Sequence, residues 1–91
     1  MPIGSITVVS PGTAVAAATS GNAISAVSFR ARADNTGAVY VGDSGVSSSN
    51  GYRLEPGDEL TLSFREMIDL RRFYVDADTA SDAVDFAGVA A

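Results

Sequence analysis

The chain has 91 residues and a net charge of −5, from eleven acidic residues against six arginines, and it contains no lysine, histidine or cysteine. This length suits one domain. The missing cysteine excludes disulfides and thiol catalysis, and the missing histidine removes the usual general base and the commonest metal ligand. The acidic balance disfavours nucleic acid as a partner. No apolar run approaches the roughly 20 residues that cross a bilayer.

The N-terminal segment, "MPIGSITVVS", predicts a first strand over residues 5–10, because it is rich in valine and isoleucine. Residues 13–26 are rich in alanine but contain Gly21 and several serines and threonines, which disfavour a long helix, so we expect extended structure there. We expect residues 1–23 to form an N-terminal arm that carries the first strand. Residues 24–91 would form the folded domain.

The clearest strand signal begins after this segment. Residues 26–33, "AVSFRARA", alternate apolar and polar side chains, which is the period of a half-buried antiparallel strand. The next four residues, "DNTG" (34–37), include Asn and Gly, which tolerate positive φ and predict a tight hairpin. That hairpin would lead into a strand over residues 38–42.

The loop after that strand opens with "GDSG", the letters that surround the nucleophile of chymotrypsin-like proteases. Ser44 would need a histidine or lysine base, and the chain has neither. Val46 also replaces a glycine of the protease motif. We therefore interpret residues 42–51 as a serine-rich loop.

A second alternating strand is predicted over residues 59–64, "ELTLSF", with three large apolar side chains on one face. It follows "EPGD" (55–58), whose central Pro-Gly pair predicts a type II turn. The acids around this turn are interpreted as exposed surface groups and not as a glycosidase pair. They are Glu55, Asp58 and Glu59.

Residues 71–75 and 83–89 are rich in Val, Phe and Tyr and predict two further strands, joined by a polar turn over residues 76–82. Carboxylates suit calcium. However, the spacing of these acids does not fit an EF-hand loop. We expect a solvated acidic turn, formed by Asp76, Asp78 and Asp82 with Asp85 beyond it.

Short strands separated by turns, with little helix, predict an all-β domain. We expect a small antiparallel β-sandwich or jelly-roll-like barrel with an extended N-terminal arm.

Arginines and aromatic residues are the candidate contact residues. Arg30 and Arg32 share one face of a strand, Arg71 and Arg72 are adjacent, and arginine suits bidentate ion pairs at interfaces. Pairing within the chain, exposure to solvent and pairing with another copy all stay open. The aromatic residues suit a core first, with an interface or a sugar site as alternatives. They are Tyr40, Tyr52, Phe73 and Tyr74.

The stretch "NTGAVYVGDSGVSSSNGYRLEPGDELTLSF" (35–64), followed by "IDLRRFYVDADTASDAVDFAGVA" (68–90), resembles small structural proteins of tailed bacteriophages. The shared features are Asn-x-Gly before a V-Y-V-G strand, a serine-rich loop, G-Y-x-L-x-P-G-[DE]-x-L, and an acidic Asp-Leu strand ending in Tyr-Val. The resemblance covers rather more than half of the chain. It implies a β-sandwich virion module without catalytic residues, cofactor or metal.

The resemblance implies a head decoration (cement) protein that binds the outside of a phage capsid and stabilises the shell. The implied partners are the major capsid protein and other copies of the chain, as a trimer, without nucleic acid or membrane. The implied location is the virion surface, after synthesis in the host cytoplasm. Residues 1–23 would then be exchanged between copies or contact the shell. The interface residues that we expect are Ile3, Ile6, Val8, Arg30, Arg32, Arg71, Arg72 and Tyr74.

Two alternatives stay open. A neck, tail or fibre-associated virion protein needs the same kind of compact β-module. A small carbohydrate-binding module is the alternative from another class, because tyrosines stack on sugar rings. Its rings would be Tyr40, Tyr52 and Tyr74, and its hydrogen-bonding side chains Asp43, Asn50 and Arg53.

Overall fold

Strands form where apolar and polar side chains alternate. The computed structural model of the chain describes residues 3–19, 21 and 23–89, and within them shows eight strands and a short 3₁₀ helix over Leu70–Arg72. In chain order the strands are β1 (Ile3–Thr7), β2 (Val15–Ala16), β3 (Ala23–Ala31), β4 (Val39–Gly42), β5 (Tyr52–Leu54), β6 (Glu59–Asp69), β7 (Tyr74–Ala77) and β8 (Ala83–Val89).

The strands form two antiparallel sheets. The first has the order β1-β8-β3-β6 and the second the order β2-β7-β4-β5. This is the strand order of a jelly roll, an eight-stranded sandwich of two four-stranded sheets. The predicted all-β sandwich is confirmed.

Alternation along β3 decides which of its faces enters the core. Val27, Phe29 and Ala31 are buried, whereas Arg30 between them is exposed. Ile24 is also buried, although strict alternation would place it on the other face. The pairing of β3 with β6 is irregular at this point, since Ala26 lies opposite Ser63 and Ile24 opposite Ile68, and such an irregularity changes the direction of the side chains beside it. The core between the sheets also includes Ile6, Val8, Val39, Val41, Leu54, Leu70, Val75 and Val84.

The turn at residues 55–58 connects β5 of the second sheet to β6 of the first. Gly57 has a φ of +90°, and the N–H of Asp58 donates to the C=O of Glu55 at 2.9 Å. Both features fit the predicted type II turn, which needs a positive φ at its third residue.

The hairpin predicted at residues 34–37 is wrong. β3 and β4 lie in different sheets, so this loop crosses the sandwich. Neither Asn35 nor Gly37 has a positive φ. Instead, the Asn35 side chain both donates to and accepts from the backbone of Ala83 at 2.9 Å, and the Gly37 N–H donates to Asp82 at 2.8 Å. These hydrogen bonds attach the loop to residues at the start of β8. They stabilise the path by which the chain crosses from the first sheet to the second.

The strand predicted over residues 71–75 begins later than expected. Asp69 Oδ1 accepts a hydrogen bond from the N–H of Arg71 at 2.9 Å, which caps the 3₁₀ helix. The N–H of Phe73 donates to the C=O of Leu70 at 3.1 Å and closes that turn. Strand structure therefore resumes only at Tyr74.

The N-terminal residues are part of the sandwich. β1 pairs with β8 of the same chain, and β2 pairs with β7. Residues 13–26 are extended at β2 and from Ala23 onward, as predicted, and no described residue among them is helical. The division of the chain at residue 23 and an exchange of this segment between copies stay predictions. Parts of the predictions fall outside the described residues, at Met1, Pro2, Ser20, Asn22, Ala90 and Ala91.

Candidate functional site

An apolar groove lies where the edges of the two sheets face each other. β6 is the last strand of the first sheet and β5 the last strand of the second, so within the described residues no further strand closes the interior there. The groove has a volume of about 270 Å³. It is lined by Val41, Gly42, Asp43, Tyr52, Leu60, Leu62, Arg72 and Phe73.

The alternation of side chains along the strands determines which residues form most of the groove wall. Leu60 and Leu62 lie on the face of β6 that points to the interior of the sandwich. They are only partly buried, because within the described residues no strand lies beside β6 at its free edge. Val41 faces them from β4. Tyr52 lies opposite Val41 in the register of β4 and β5, so both side chains are on the groove side of the second sheet. The Tyr52 residue is 59% exposed.

Phe73 connects the groove to the core. Its ring centroid lies 5.6 Å from that of Phe29 and 5.8 Å from that of Phe64, and the second pair is stacked at 28°. Such aromatic pairs add about 0.5–1.5 kcal/mol beyond the burial of their area. These ring contacts fix Phe73 against the core. They therefore also hold the 3₁₀ helix that precedes Phe73, which forms this wall of the groove.

Two opposite charges lie in the groove lining. Arg72 is exposed and makes no salt bridge within the described part of the chain. Asp43 Oδ1 accepts a hydrogen bond from the N–H of Gly45 at 2.9 Å. This arrangement suits an extended apolar segment with polar groups at its margin. Among the described residues, no group of three or more His, Cys, Asp or Glu side chains is placed to hold a metal ion.

Comparison with known proteins adds no relative. No family model, curated protein or solved structure matches this chain. Among the described residues, no helix has the length and apolar character that crossing a membrane takes.

Ser44 lies in an exposed turn, as the sequence predicts. The loop is folded on itself: the N–H of Val46 donates to the C=O of Asp43 at 3.0 Å, and the Asn50 side chain donates to the C=O of Gly45 at 2.9 Å. The Val46 side chain is buried against the outer face of the second sheet. This loop is a compact surface element beside the groove.

The acids of residues 76–82 do not form the solvated turn that the sequence predicted. Asp76 is 2% and Asp82 is 5% exposed, whereas Asp78 is exposed. Asp76 Oδ1 accepts a hydrogen bond from the N–H of Gly12 at 3.0 Å, and Asp82 accepts backbone donors of the loop before β4. Buried carboxylates need such donors, and here they fasten loops that cover the ends of strands.

A polar cluster lies on the outer face of the second sheet. Tyr40 is 2% exposed, and its hydroxyl donates to Asp78 Oδ2 at 2.9 Å and accepts from Arg53 Nη1 at 3.0 Å. Burial raises the pKa of Tyr40 above 10.0, and the bond to Asp78 raises it further. Arg53 also forms a salt bridge with Glu55 at 2.9 Å, and the hydrogen bond in this pair raises the pKa of the guanidinium. The phenol stays protonated at neutral pH and acts as a fixed donor.

The three tyrosines do not share one surface. Tyr40 and Tyr74 belong to a small cluster on the outer face of the second sheet, separate from the main core. Tyr52 faces the groove together with Val41. The three rings therefore do not form the single platform that the sugar-binding alternative requires.

Two of the predicted interface arginines pair within the chain. Arg32 Nε lies 2.9 Å from Asp85 Oδ1, and Arg71 Nη2 lies 2.9 Å from Asp69 Oδ2. Arg30 is exposed and lies opposite Asp85 in the register of β3 and β8. All three arginine residues are exposed, so their use in an interface stays a prediction.

The remaining predicted interface residues divide by burial. Ile3 is 70% exposed on β1, and Tyr74 is half-buried. Ile6 and Val8 are 4% and 0% exposed, so their side chains pack in the core of their own chain. Only Ile3 of these four offers a large free apolar surface.

The sequence identifies the groove residues one by one but does not bring them together. Arg72 is a predicted interface residue, whereas Tyr52 and Phe73 are expected in the core first, with an interface or a sugar site as alternatives. Leu60 and Leu62 lie on the apolar face of a predicted strand. The missing information is that β5 and β6 both end their sheets. A three-residue strand such as β5 is too short to show a period.

Proposed function

We propose that this chain is a structural virion protein of the head decoration (cement) type, which binds the outside of a phage capsid and stabilises the shell. The observation that carries the proposal is that, in the part of the chain that the structure describes, both edges of the first sheet are open. The groove lies at the β6 edge, and exposed apolar side chains lie at and beyond the β1 edge. Jelly-roll order also recurs in viral capsid domains, although it occurs in lectins as well. The resemblance over residues 35–64 and 68–90 supports the same class.

The β1 edge is the surface that we assign to the shell. β1 is bonded to β8 on one side and ends the sheet on the other. Ile3, at the start of β1, is 70% exposed, and Val9, two residues after the end of β1, is 74% exposed. An extended segment of a capsid subunit can add to such an edge through backbone hydrogen bonds, with apolar side chains giving specificity.

The action proposed is mechanical and involves no bond chemistry. A protein that binds the assembled shell but not its free subunits stabilises the shell by mass action, by about 2.7 kcal/mol per site at a free concentration of 100 times Kd. Many such sites act together on a closed lattice. The partners are the major capsid protein and other copies of this chain, and the location is the virion surface.

Copy number in purified particles tests the proposal. Quantitative mass spectrometry against the major shell protein should give a ratio near one for a protein that covers the lattice. A ratio that corresponds to a single ring would move the protein to the neck or tail. Its absence from particles would overturn a virion role.

Binding to shells tests the assigned surface. Purified chain is added to particles that lack it and sedimented with them. Ile3→Asp should weaken binding, because it places a charge in an apolar contact. Ser48→Asp adds the same charge at an exposed loop position and should bind like the parent chain. Equal binding of both variants would show that the β1 edge is not the shell contact.

A further inference from the structure

The free edge of β6 is ready to accept another strand. Within the described residues β6 pairs with β3 alone, with regular register over residues 59–63. The N–H of Ala31 donates to the C=O of Asp58 at 2.9 Å, so Leu60 and Leu62 also bond toward β3. The alternation of antiparallel bonding then directs the N–H and C=O groups of residues 59, 61 and 63 to the open side.

The side chains of β6 are self-complementary about Leu62. Burial alternates along β6 from Glu59 through Arg65, although the pairing with β3 is regular only through Ser63. In an antiparallel pair of identical strands centred on Leu62, each residue faces the one that lies equally far on the other side. Leu60 then faces Phe64, Thr61 faces Ser63, and Glu59 faces Arg65, each of the second copy. These are an apolar pair, a hydroxyl pair and an opposite-charge pair, which all stabilise neighbouring strands.

The two neighbouring registers lose the charge match. A pair centred on Thr61 places Glu59 opposite Ser63, and a pair centred on Ser63 places it opposite Met67. Moving the centre by one residue in either direction shifts each partner by two and removes this opposite-charge contact. The sequence of β6 thus favours Leu62 over its two neighbours as the centre of a two-fold pair.

The charge pattern across the first sheet would continue into a second copy that is paired in this register. Asp85, Arg30 and Glu59 lie opposite one another on neighbouring strands, so the row alternates in sign and stops at the open edge. Glu59 and Arg65 are both exposed, and neither forms a salt bridge in the described part of the chain. Arg65 of the second copy would add the next charge of alternating sign.

Among the described residues, nothing covers the apolar side of the same edge either. Leu60, Leu62 and Phe64 alternate on the inner face of β6 and are half-buried, and the first two line the open groove. Tyr52 lies exposed on the strand below. A second copy paired in the Leu62-centred register would place its own Leu60, Leu62 and Phe64 against these side chains. It would then cover the open side of the groove.

We infer that β6 is a homodimer interface: two copies pair antiparallel through β6, centred on Leu62, and join their first sheets into one eight-stranded sheet. The interface is isologous, because each copy presents the same strand to the other. The dimer leaves the β1 edge of each copy open. It differs from the trimer that the phage resemblance implies.

Charge exchange tests this interface on the purified full chain. Glu59→Arg places two arginines opposite each other at both ends of the pair, and Arg65→Glu places two glutamates there. A mixture of the two variants restores opposite charges at both ends, but only in the mixed dimer. Native mass spectrometry with one variant isotopically labelled, together with analytical ultracentrifugation, separates the two homodimers from the mixed dimer.

We expect the parent chain to be dimeric, and each variant alone to dimerise at concentrations about ten-fold higher or more. The mixture should regain parent-like association as mixed dimers. Asp34→Arg makes the same charge change as Glu59→Arg at an exposed loop position and should leave the dimer unchanged. Thermal unfolding of each variant shows whether it is folded.

Three outcomes would overturn the inference. They are a parent chain that stays monomeric or forms trimers at every concentration, a dimer that both single variants leave intact, and a mixture that fails to form mixed dimers. The inference does not depend on the proposed function, since shell binding through β1 and pairing through β6 are measured in separate experiments with separate variants.

Discussion

Asp82 Oδ2 accepts a hydrogen bond from the backbone N–H of Gly37 at 2.8 Å, across 45 residues of sequence. The other oxygen accepts from the N–H of Thr36 at 2.9 Å, and the Asp82 residue is only 5% exposed. Asp82→Ala leaves both donors without this acceptor, so we expect the free energy of unfolding to fall by about 2 kcal/mol. Asp82→Asn keeps one acceptor oxygen and should cost less.

Urea unfolding measures this prediction. Asp34→Ala is the matched control, because Asp34 is exposed in the same loop and its removal should change stability by no more than about 0.5 kcal/mol. Equal unfolding midpoints for Asp82→Ala and the parent chain would show that Asp82 does not hold this loop.

Asp85 should make stability depend on pH in the acid range. The Ser5 hydroxyl donates to Asp85 Oδ1, and this bond, with help from Arg32 and against the opposing effect of burial, holds the pKa of Asp85 below 3.8. Because the folded-state pKa lies below the unfolded one, the contribution is complete above about pH 3.8 and is lost as pH falls through the lowered pKa.

Ser5→Ala should raise the pKa of Asp85 toward 3.8, since it removes the strongest cause of the shift. NMR titration of the side-chain carboxyl carbon measures this directly. The stability difference between the parent chain and the variant should shrink as the pH is lowered below 3.8. An unchanged titration curve for Asp85 would contradict the role assigned to the hydroxyl.

Tyr40 should make stability depend on pH in the alkaline range. Burial first, and the hydrogen bond to Asp78 second, raise the pKa of Tyr40 above 10.0. The folded state therefore holds the phenol proton more tightly than the unfolded state. The resulting stability is complete below about pH 10 and is lost as pH rises through the raised pKa.

Tyr40→Phe should remove this alkaline dependence and cost about 1 kcal/mol at neutral pH, because the phenol loses its bonds to Asp78 and Arg53. Denaturant unfolding at several pH values measures both effects. The difference between the tyrosinate absorbance titrations of the parent chain and the variant isolates Tyr40. A difference curve with its midpoint at or below pH 10.0 would contradict the raised pKa.

The sequence predicts the fold best where one face of a strand is buried and the other is wet. β3 and β6 lie close to their predicted positions, because period-two alternation records which face meets the core, whereas β8 matches a strand predicted from its Val- and Phe-rich composition. β2 and β5 have two and three residues and show no period. The crossing loop at residues 34–37 carries the residue types of a hairpin, and its true path depends on bonds to residues nearly fifty positions away.

The candidate site is less predictable, because it depends on which strands end the sheets. Leu60 and Leu62 would be ordinary core residues if another strand lay beside β6. From sequence alone Asp76 and Asp82 are expected on the surface. In the structure, loops cover both residues, and the backbone N–H groups of these loops donate to their carboxylates. Strand order and loop path are both long-range properties, whereas alternation and turn chemistry are local.

Gly57 should tolerate substitution only by a residue that accepts a left-handed backbone. Its φ is +90°, and a Cβ atom there would meet nothing within 4 Å, so the cost of Gly57→Ala is conformational alone. We expect Gly57→Ala to lower the free energy of unfolding by about 1–2 kcal/mol. Gly57→Asn should cost less, because asparagine visits positive φ more readily.

Gly45→Ala is the matched control, because Gly45 has no positive φ and the nearest atom to its added Cβ is Asp43 Oδ1 at 3.5 Å, an ordinary contact. Reduced freedom of the unfolded chain should make this variant neutral or more stable by up to about 1 kcal/mol. Urea unfolding of the three variants gives the order of stability. If Gly57→Ala and Gly45→Ala were equally stable, the positive φ at the turn between β5 and β6 would not be required by the fold.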